Sequence, residues 1–209
     1  MPKPTRLLFL VLAACLASCG GKDIPPFTPP ESLALAPIQR QEFVVAFLRG
    51  DWCDARHLFE SSQQNYLAQD DLCAMAHNCE LAFRVTSWAG VPAEELLPEA
   101  ARFRDLDPGC ATLGIPEPDQ VWDSVLESGD WDALNSLIQK TNNPLFASVY
   151  ARKATERALH ENDMSLALKF LTQAMNVDRE QAWVVFLVQD WMFVSQMEQD
   201  PEASARARA

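Results

Sequence analysis

Glycine, histidine and alternating apolar–polar runs are what this chain has least of. Its 209 residues hold only seven glycines, and none of them forms a phosphate-cradling loop. Neither Gly-x-Ser-x-Gly nor His-Glu-x-x-His occurs, which removes the common hydrolase and zinc-peptidase signatures. Cys-x-x-Cys-His is also absent, so no covalent haem site is encoded. The missing alternation argues against half-buried strands. Basic residues are outnumbered, 17 Lys and Arg against 29 Asp and Glu for a net charge of −12, which argues against nucleic acid and against broad adhesion to anionic lipid. With carboxylates this abundant, pairs such as Asp70–Asp71 and Glu94–Glu95 read as helix caps and solvated faces.

What the chain does have begins at its first residues. Lys3 and Arg6 precede an apolar run over 7–16 that is too short to cross a bilayer as a helix. The run ends in Leu16-Ala17-Ser18-Cys19-Gly20. This segment resembles the lipobox of bacterial lipoproteins, and the resemblance implies cleavage before Cys19 and a covalent lipid on its sulfur, with no other cofactor expected. Leu12-Ala13-Ala14-Cys15 fits the same pattern, at the cost of an apolar core reduced to 7–12. In those lipoproteins an Asp after the lipidated cysteine favours inner-membrane retention; Gly20 here implies the outer membrane, with the protein facing the periplasm. Pro25, Pro26, Pro29, Pro30 and Pro37 then make an extended spacer. The expected layout is a signal peptide over 1–18, a Pro-rich tether over 19–37, a helical domain over 38–198 and a tail over 199–209.

Ala, Leu, Glu and Gln dominate the domain, and an all-α fold is expected. A repeat organises it. Gly50-Asp51-Trp52 recurs as Gly129-Asp130-Trp131 and, more loosely, as Asn162-Asp163-Met164, with a weaker corner at Gly90-Val91-Pro92. In each strong copy Gly or Asn supplies the left-handed residue that ends one helix and Asp caps the next. Corners at intervals of roughly 33 to 40 residues have the rhythm of stacked helical hairpins. Helices are expected over 38–49, 51–65, 70–88, 92–105, 117–128, 130–141, 144–161, 163–177 and 180–198, the last capping the stack. Asn162, Ala167, Leu171, Ala174 and Asp178 match the turn, the small positions and the terminal acid of the tetratricopeptide repeat, with Ala151, Ala154 and Ala158 upstream. The segment 148–179 therefore resembles a degenerate unit of that family, and 37–59 a fainter one. The departures are the missing upstream Trp, Leu, Gly and Tyr, and Arg179 where the repeat has Pro. The resemblance implies a solenoid of antiparallel hairpins.

Cys53, Cys73, Cys79 and Cys110 follow the leader, an even number that suits two disulfides in an oxidising compartment. Cys73 and Cys79, six apart on one helix, lie about 120° apart around its axis and about 9 Å along it, too far to bond. Folding 51–65 against 70–88 about residue 66 sets Cys53 opposite Cys79, leaving Cys73 for Cys110; the alternative is Cys53–Cys73 with Cys79–Cys110. Cys53 with His57 and Cys73 with His77 also make two i,i+4 pairs, a Cys2His2 set chemically suited to zinc but without the tight spacing of zinc modules. Disulfides are the expectation, and no metal.

In the tetratricopeptide register, Arg152, Glu156 and His160 form one polar stripe on the inner face of 148–161, where Arg152 could clamp a carboxylate. Trp183 and Trp191 are expected in the core. The expected function is a lipid-anchored envelope scaffold, not an enzyme, that holds a partner protein or peptide in a helical-repeat groove, as pilotins and barrel-assembly factors do. The alternatives are a peptidoglycan-active enzyme with Glu42 as its acid, and a metal-binding domain.

Overall fold

Among the described residues six chain reversals turn on a residue in the left-handed region, four of them at Gly50, Gly90 and Gly129, with φ 86°, 68° and 71°, and at Asn162, with φ 60°. These are the four corners of the sequence repeat. The computed structural model describes residues 31–91, 93–110 and 117–199. Among them are nine helices and no strand, so the chain is all-α. We number the helices α1 (Glu31–Arg49), α2 (Trp52–Leu67), α3 (Leu72–Trp88), α4 (Leu96–Leu106), α5 (Glu117–Ser128), α6 (Trp131–Lys140), α7 (Pro144–His160), α8 (Met164–Gln181) and α9 (Val184–Gln199). The signal segment, Cys15, Cys19, Pro92 and the tail beyond 199 lie outside the described residues.

Local chemistry sets the helix starts. Asp130 and Asp163 accept from the backbone N–H of Ala133 and Leu166, each at 2.9 Å, satisfying donors that have no intrahelical partner. Asp71 caps α3 the same way, and Asn143 caps α7 ahead of Pro144. Asp51 precedes α2 but makes no side-chain cap.

Neighbouring helices joined by these short turns pack along each other, most extensively α1 with α2, α3 with α4 and α7 with α8. The α7–α8 contact is made by alanines: Ala151, Ala154 and Ala158 on one helix and Ala167 and Ala174 on the other are fully buried. With so little side chain between them the backbones approach closely, and the larger Tyr150, Phe170 and Leu171 fill the flanks. The main core joins Phe43, Phe47 and Leu48 of α1 to Val85, Trp122, Leu134, Tyr150, Phe170 and Phe186. Tyr150 keeps its hydroxyl satisfied by donating to Asp123 at 2.9 Å. Helix α9 packs on α8 and also on α1. The two ends of the helical array thus meet through α9.

Three boundaries differ from expectation. Helix α1 begins at Glu31 rather than 38 and contains Pro37. At the seventh position, past the first turn, Pro37 gives up the hydrogen bond to the Leu33 carbonyl and crowds that carbonyl, while Ala36 beside it is buried against Tyr66 and Met75. An extended tether can therefore apply only before residue 31. Helix α4 starts at Leu96, after a turn in which the Leu96 N–H donates to the Ala93 carbonyl. Helix α8 runs to Gln181 and reverses on Ala182, which holds φ 56° although it is not glycine. The Trp183 N–H donating to the Asp178 carbonyl at 2.8 Å closes that corner.

Candidate functional site

Helix α9 is apolar on most of its circumference, yet it buries only one face. Trp183, Phe186 and Asp190 point inward, whereas Val184, Val188 and Met192, at i, i+4 and i+8, form an exposed stripe. Val188 is 56% exposed and Met192 67%. The stripe forms one wall of a cleft of about 1210 Å³, whose other sides come from the α1–α2 corner at Trp52, the α3 end at Trp88 and Gly90, and α7 at Val149 and Glu156. Leaving an apolar stripe of this kind in water is unfavourable.

The cleft also touches a buried charge cluster. Arg152 lines it but is only 5% exposed, and its Nη1 donates to Asp178 Oδ2 at 3.2 Å. Asp178 accepts a second bond from the Ser148 hydroxyl and is fully buried. The guanidinium carbon lies over the Phe186 ring, 3.3 Å from its centroid. Burial pulls the Arg152 pKa down to about 10, against the pull of Asp178 and Asp190, so it remains a cation at neutral pH. Burial, and then the neighbouring Asp178 carboxylate, pushes Asp190 up to about 8. Burial raises Asp178 as well, against the pull of Arg152, so the two neighbouring carboxyls take up a proton more readily than exposed ones, which limits the desolvation cost of the cluster.

Of the polar stripe expected on α7, Arg152 and Glu156 reach the cleft, and His160 is exposed and does not line it. Arg152 is corrected in role. Its guanidinium is held by Asp178 on the neighbouring helix, so it supports the cleft floor rather than standing open as a clamp. Lys153, next to it, is paired with Asp123 at 2.8 Å. Glu42, the acid of the enzyme alternative, is exposed on α1 and does not line the cleft.

Neither Asp190 nor the Val184–Val188–Met192 stripe is among the site residues expected from the sequence, which places Trp183 and Trp191 in the core. The available signal was Asp190 itself, a lone acid within the apolar run 183–194; a buried charge needs a partner on an adjacent helix. Trp183 is in the core as expected, but Trp191 is 57% exposed.

Of the two expected bridges, one forms. Cys73 and Cys110 form a disulfide with Cα atoms 5.2 Å apart, tying the turn after α4 to α3. Cys53 is exposed and Cys79 buried, and both are free thiols, so the Cys53–Cys79 bridge is not made. The reason is register. Asn78 donates to Ser62 and Gln63 to Cys79, pairs centred near residue 70, where the positive-φ Asp70 turns the chain. With the pivot there rather than at 66, Cys53 lies too far up α2 to meet Cys79. Burial pushes the Cys79 thiol up to about 12, with the Glu99 carboxylate adding to it, so it is inert as a nucleophile. The Cys2His2 set is not assembled either: Cys53 and His57 are both exposed and stand outside the group that forms, in which His77 meets Cys73 and Cys110.

No helix among the described residues is long and apolar enough to cross a membrane. Compared with protein-family models, curated proteins and solved structures, the chain matches none.

Proposed function

We infer that this chain is a lipid-anchored scaffold of the bacterial cell envelope that holds a segment of a partner protein in the α7–α9 cleft. The lipobox-like leader supplies the anchor on Cys19 and the location, facing the periplasm and at the outer membrane. In this reading the hairpins α1–α2, α3–α4, α5–α6 and α7–α8 stack as a degenerate tetratricopeptide-like solenoid, and α9 is its capping helix.

The observation that carries the reading is the exposed Val184–Val188–Met192 stripe facing a cleft of about 1210 Å³. An amphipathic helix or an extended apolar segment would cover that stripe, with Arg49 and Glu156 at the margin to orient it. The cleft walls are largely apolar, and Arg152 and Lys153 in its lining are already paired with Asp178 and Asp123, which favours a binding module over a peptidoglycan-active enzyme.

Crosslinking in native membranes followed by affinity purification tests this. Wild type should recover one dominant envelope protein that Met192→Asp loses and Leu168→Asp keeps, since Leu168 is an exposed apolar residue outside the cleft. Equal recovery by all three would sink the cleft as the docking site. Arg152→Glu is unsuited as a control, because it would bury a third carboxylate beside Asp178 and Asp190.

A further inference from the structure

Away from the cleft, Cys73 and His77 stand four residues apart on one face of α3, and the turn after α4 brings Cys110 to them. That turn is fixed locally: the Cys110 N–H donates to the Asp107 carbonyl at 2.9 Å, and the Gly109 N–H to the Asp107 side chain at 3.1 Å. His77 Nε2 lies 3.7 Å from Cys73 Sγ and 3.9 Å from Cys110 Sγ. The imidazole is therefore nearly equidistant from both sulfurs of the disulfide. All three residues are half-buried, so small molecules can reach the group while its backbone stays held.

Those distances are close to what a tetrahedral metal site requires. Tetrahedral zinc with Zn–S near 2.3 Å and Zn–N near 2.0 Å sets nitrogen and sulfur about 3.5 Å apart and the two sulfurs about 3.8 Å apart. Both nitrogen–sulfur distances are already close to that value. What remains is to separate the sulfurs.

We propose that Cys73, His77 and Cys110 form a redox-gated zinc site, closed as a disulfide and open to one Zn²⁺ when reduced. A dithiol reductant supplies two electrons and two protons, the Cys73–Cys110 bond breaks to two thiols, and the reductant leaves as its own disulfide. Zinc then displaces the two thiol protons to solvent and takes two thiolates and the neutral imidazole nitrogen, with water in the fourth position. Disulfide and metal occupy the same sulfurs and exclude each other. This site is independent of what occupies the α7–α9 cleft.

The test uses the full chain carrying Cys15→Ser and Cys19→Ser, so that only the four domain cysteines remain, with Co²⁺ as the probe and Zn²⁺ as competitor. The reduced chain should bind one Co²⁺, with sulfur-to-cobalt charge-transfer absorption and tetrahedral visible bands that Zn²⁺ abolishes. The oxidised chain should show neither. His77→Gln keeps both cysteines and the disulfide, so its fold is retained, and it should weaken cobalt binding by more than about 100-fold, beyond the range that loss of an outer-shell partner alone causes. Cys53→Ser should bind as the parent does. The proposal is overturned if the reduced chain shows no charge-transfer absorption, if His77→Gln binds as tightly as the parent, or if the oxidised chain binds equally well.

Discussion

The two hairpin regions on either side of the molecule are held by opposite means. Helices α7 and α8 meet through fully buried alanines and enclose a charge cluster, with Arg152, Asp178 and Asp190 all taken out of water. Helices α2 and α3 meet through a polar ladder, Ser62 to Asn78 and Gln63 to Cys79, and their neighbourhood is tied by the Cys73–Cys110 disulfide. Small side chains permit the close approach that seals charges inside α7–α8. Between α2 and α3 amides and a hydroxyl lie beside the apolar contacts of Tyr66 with Met75 and of Phe59 with Ala76 and Cys79, and a covalent link ties α3 to the turn after α4. One region is therefore sensitive to protons and the other to reductant.

The largest expected effect breaks the first region. Asp178→Ala removes the hydrogen-bonded partner of Arg152 and leaves Asp190 alone to balance the buried cation, and should cost up to about 3–5 kcal/mol in urea unfolding. Reduction of the disulfide, or Cys110→Ser, should cost about 2–4 kcal/mol, the chain-entropy value for a loop of this length less any structure retained when unfolded. The first loss should be insensitive to reductant. The second should vanish when wild type and variant are compared under reducing conditions, and a persistent difference there would show that Cys110 contributes by packing.

Proton dependence sharpens the contrast. The Asp190 carboxyl sits at about 8 when folded and near 3.9 when unfolded, so the folded state holds the extra proton between those values. Its contribution should therefore fall as pH rises from roughly 4 to 8, full at the acid end and lost once the folded group ionises. Asp190→Asn imitates the protonated acid and should flatten that slope while costing little near pH 5. A slope unchanged in the variant would place the pH dependence elsewhere.

Much of this was legible in the sequence. Gly50, Gly129 and Asn162 with the Asp that follows each marked true reversals, and Ala151, Ala154, Ala158, Ala167 and Ala174 marked a close helix contact, because those features act locally or at helical spacing. Ala182 was not legible, since an alanine carries no mark of a left-handed turn; Ala182→Gly should relieve that strain and stabilise by about 0.5–1 kcal/mol, the smallest effect expected here. Disulfide pairing depended on where α2 and α3 pivot, and a shift from residue 66 to about 70 moved the residue opposite Cys79 from Cys53 to Gln63. The working face of α9 was hidden for a related reason: an apolar run shows that a helix is apolar, and tertiary packing alone decides which side is left uncovered.

Photo-crosslinking from two positions in native membranes tests the cleft most directly. A photoreactive residue at Val188, on the cleft wall, should give one discrete crosslinked species, and the same residue at Leu168, equally apolar and outside the cleft, should give none. A product of the same mass and yield from both positions, or none from Val188, would contradict the account.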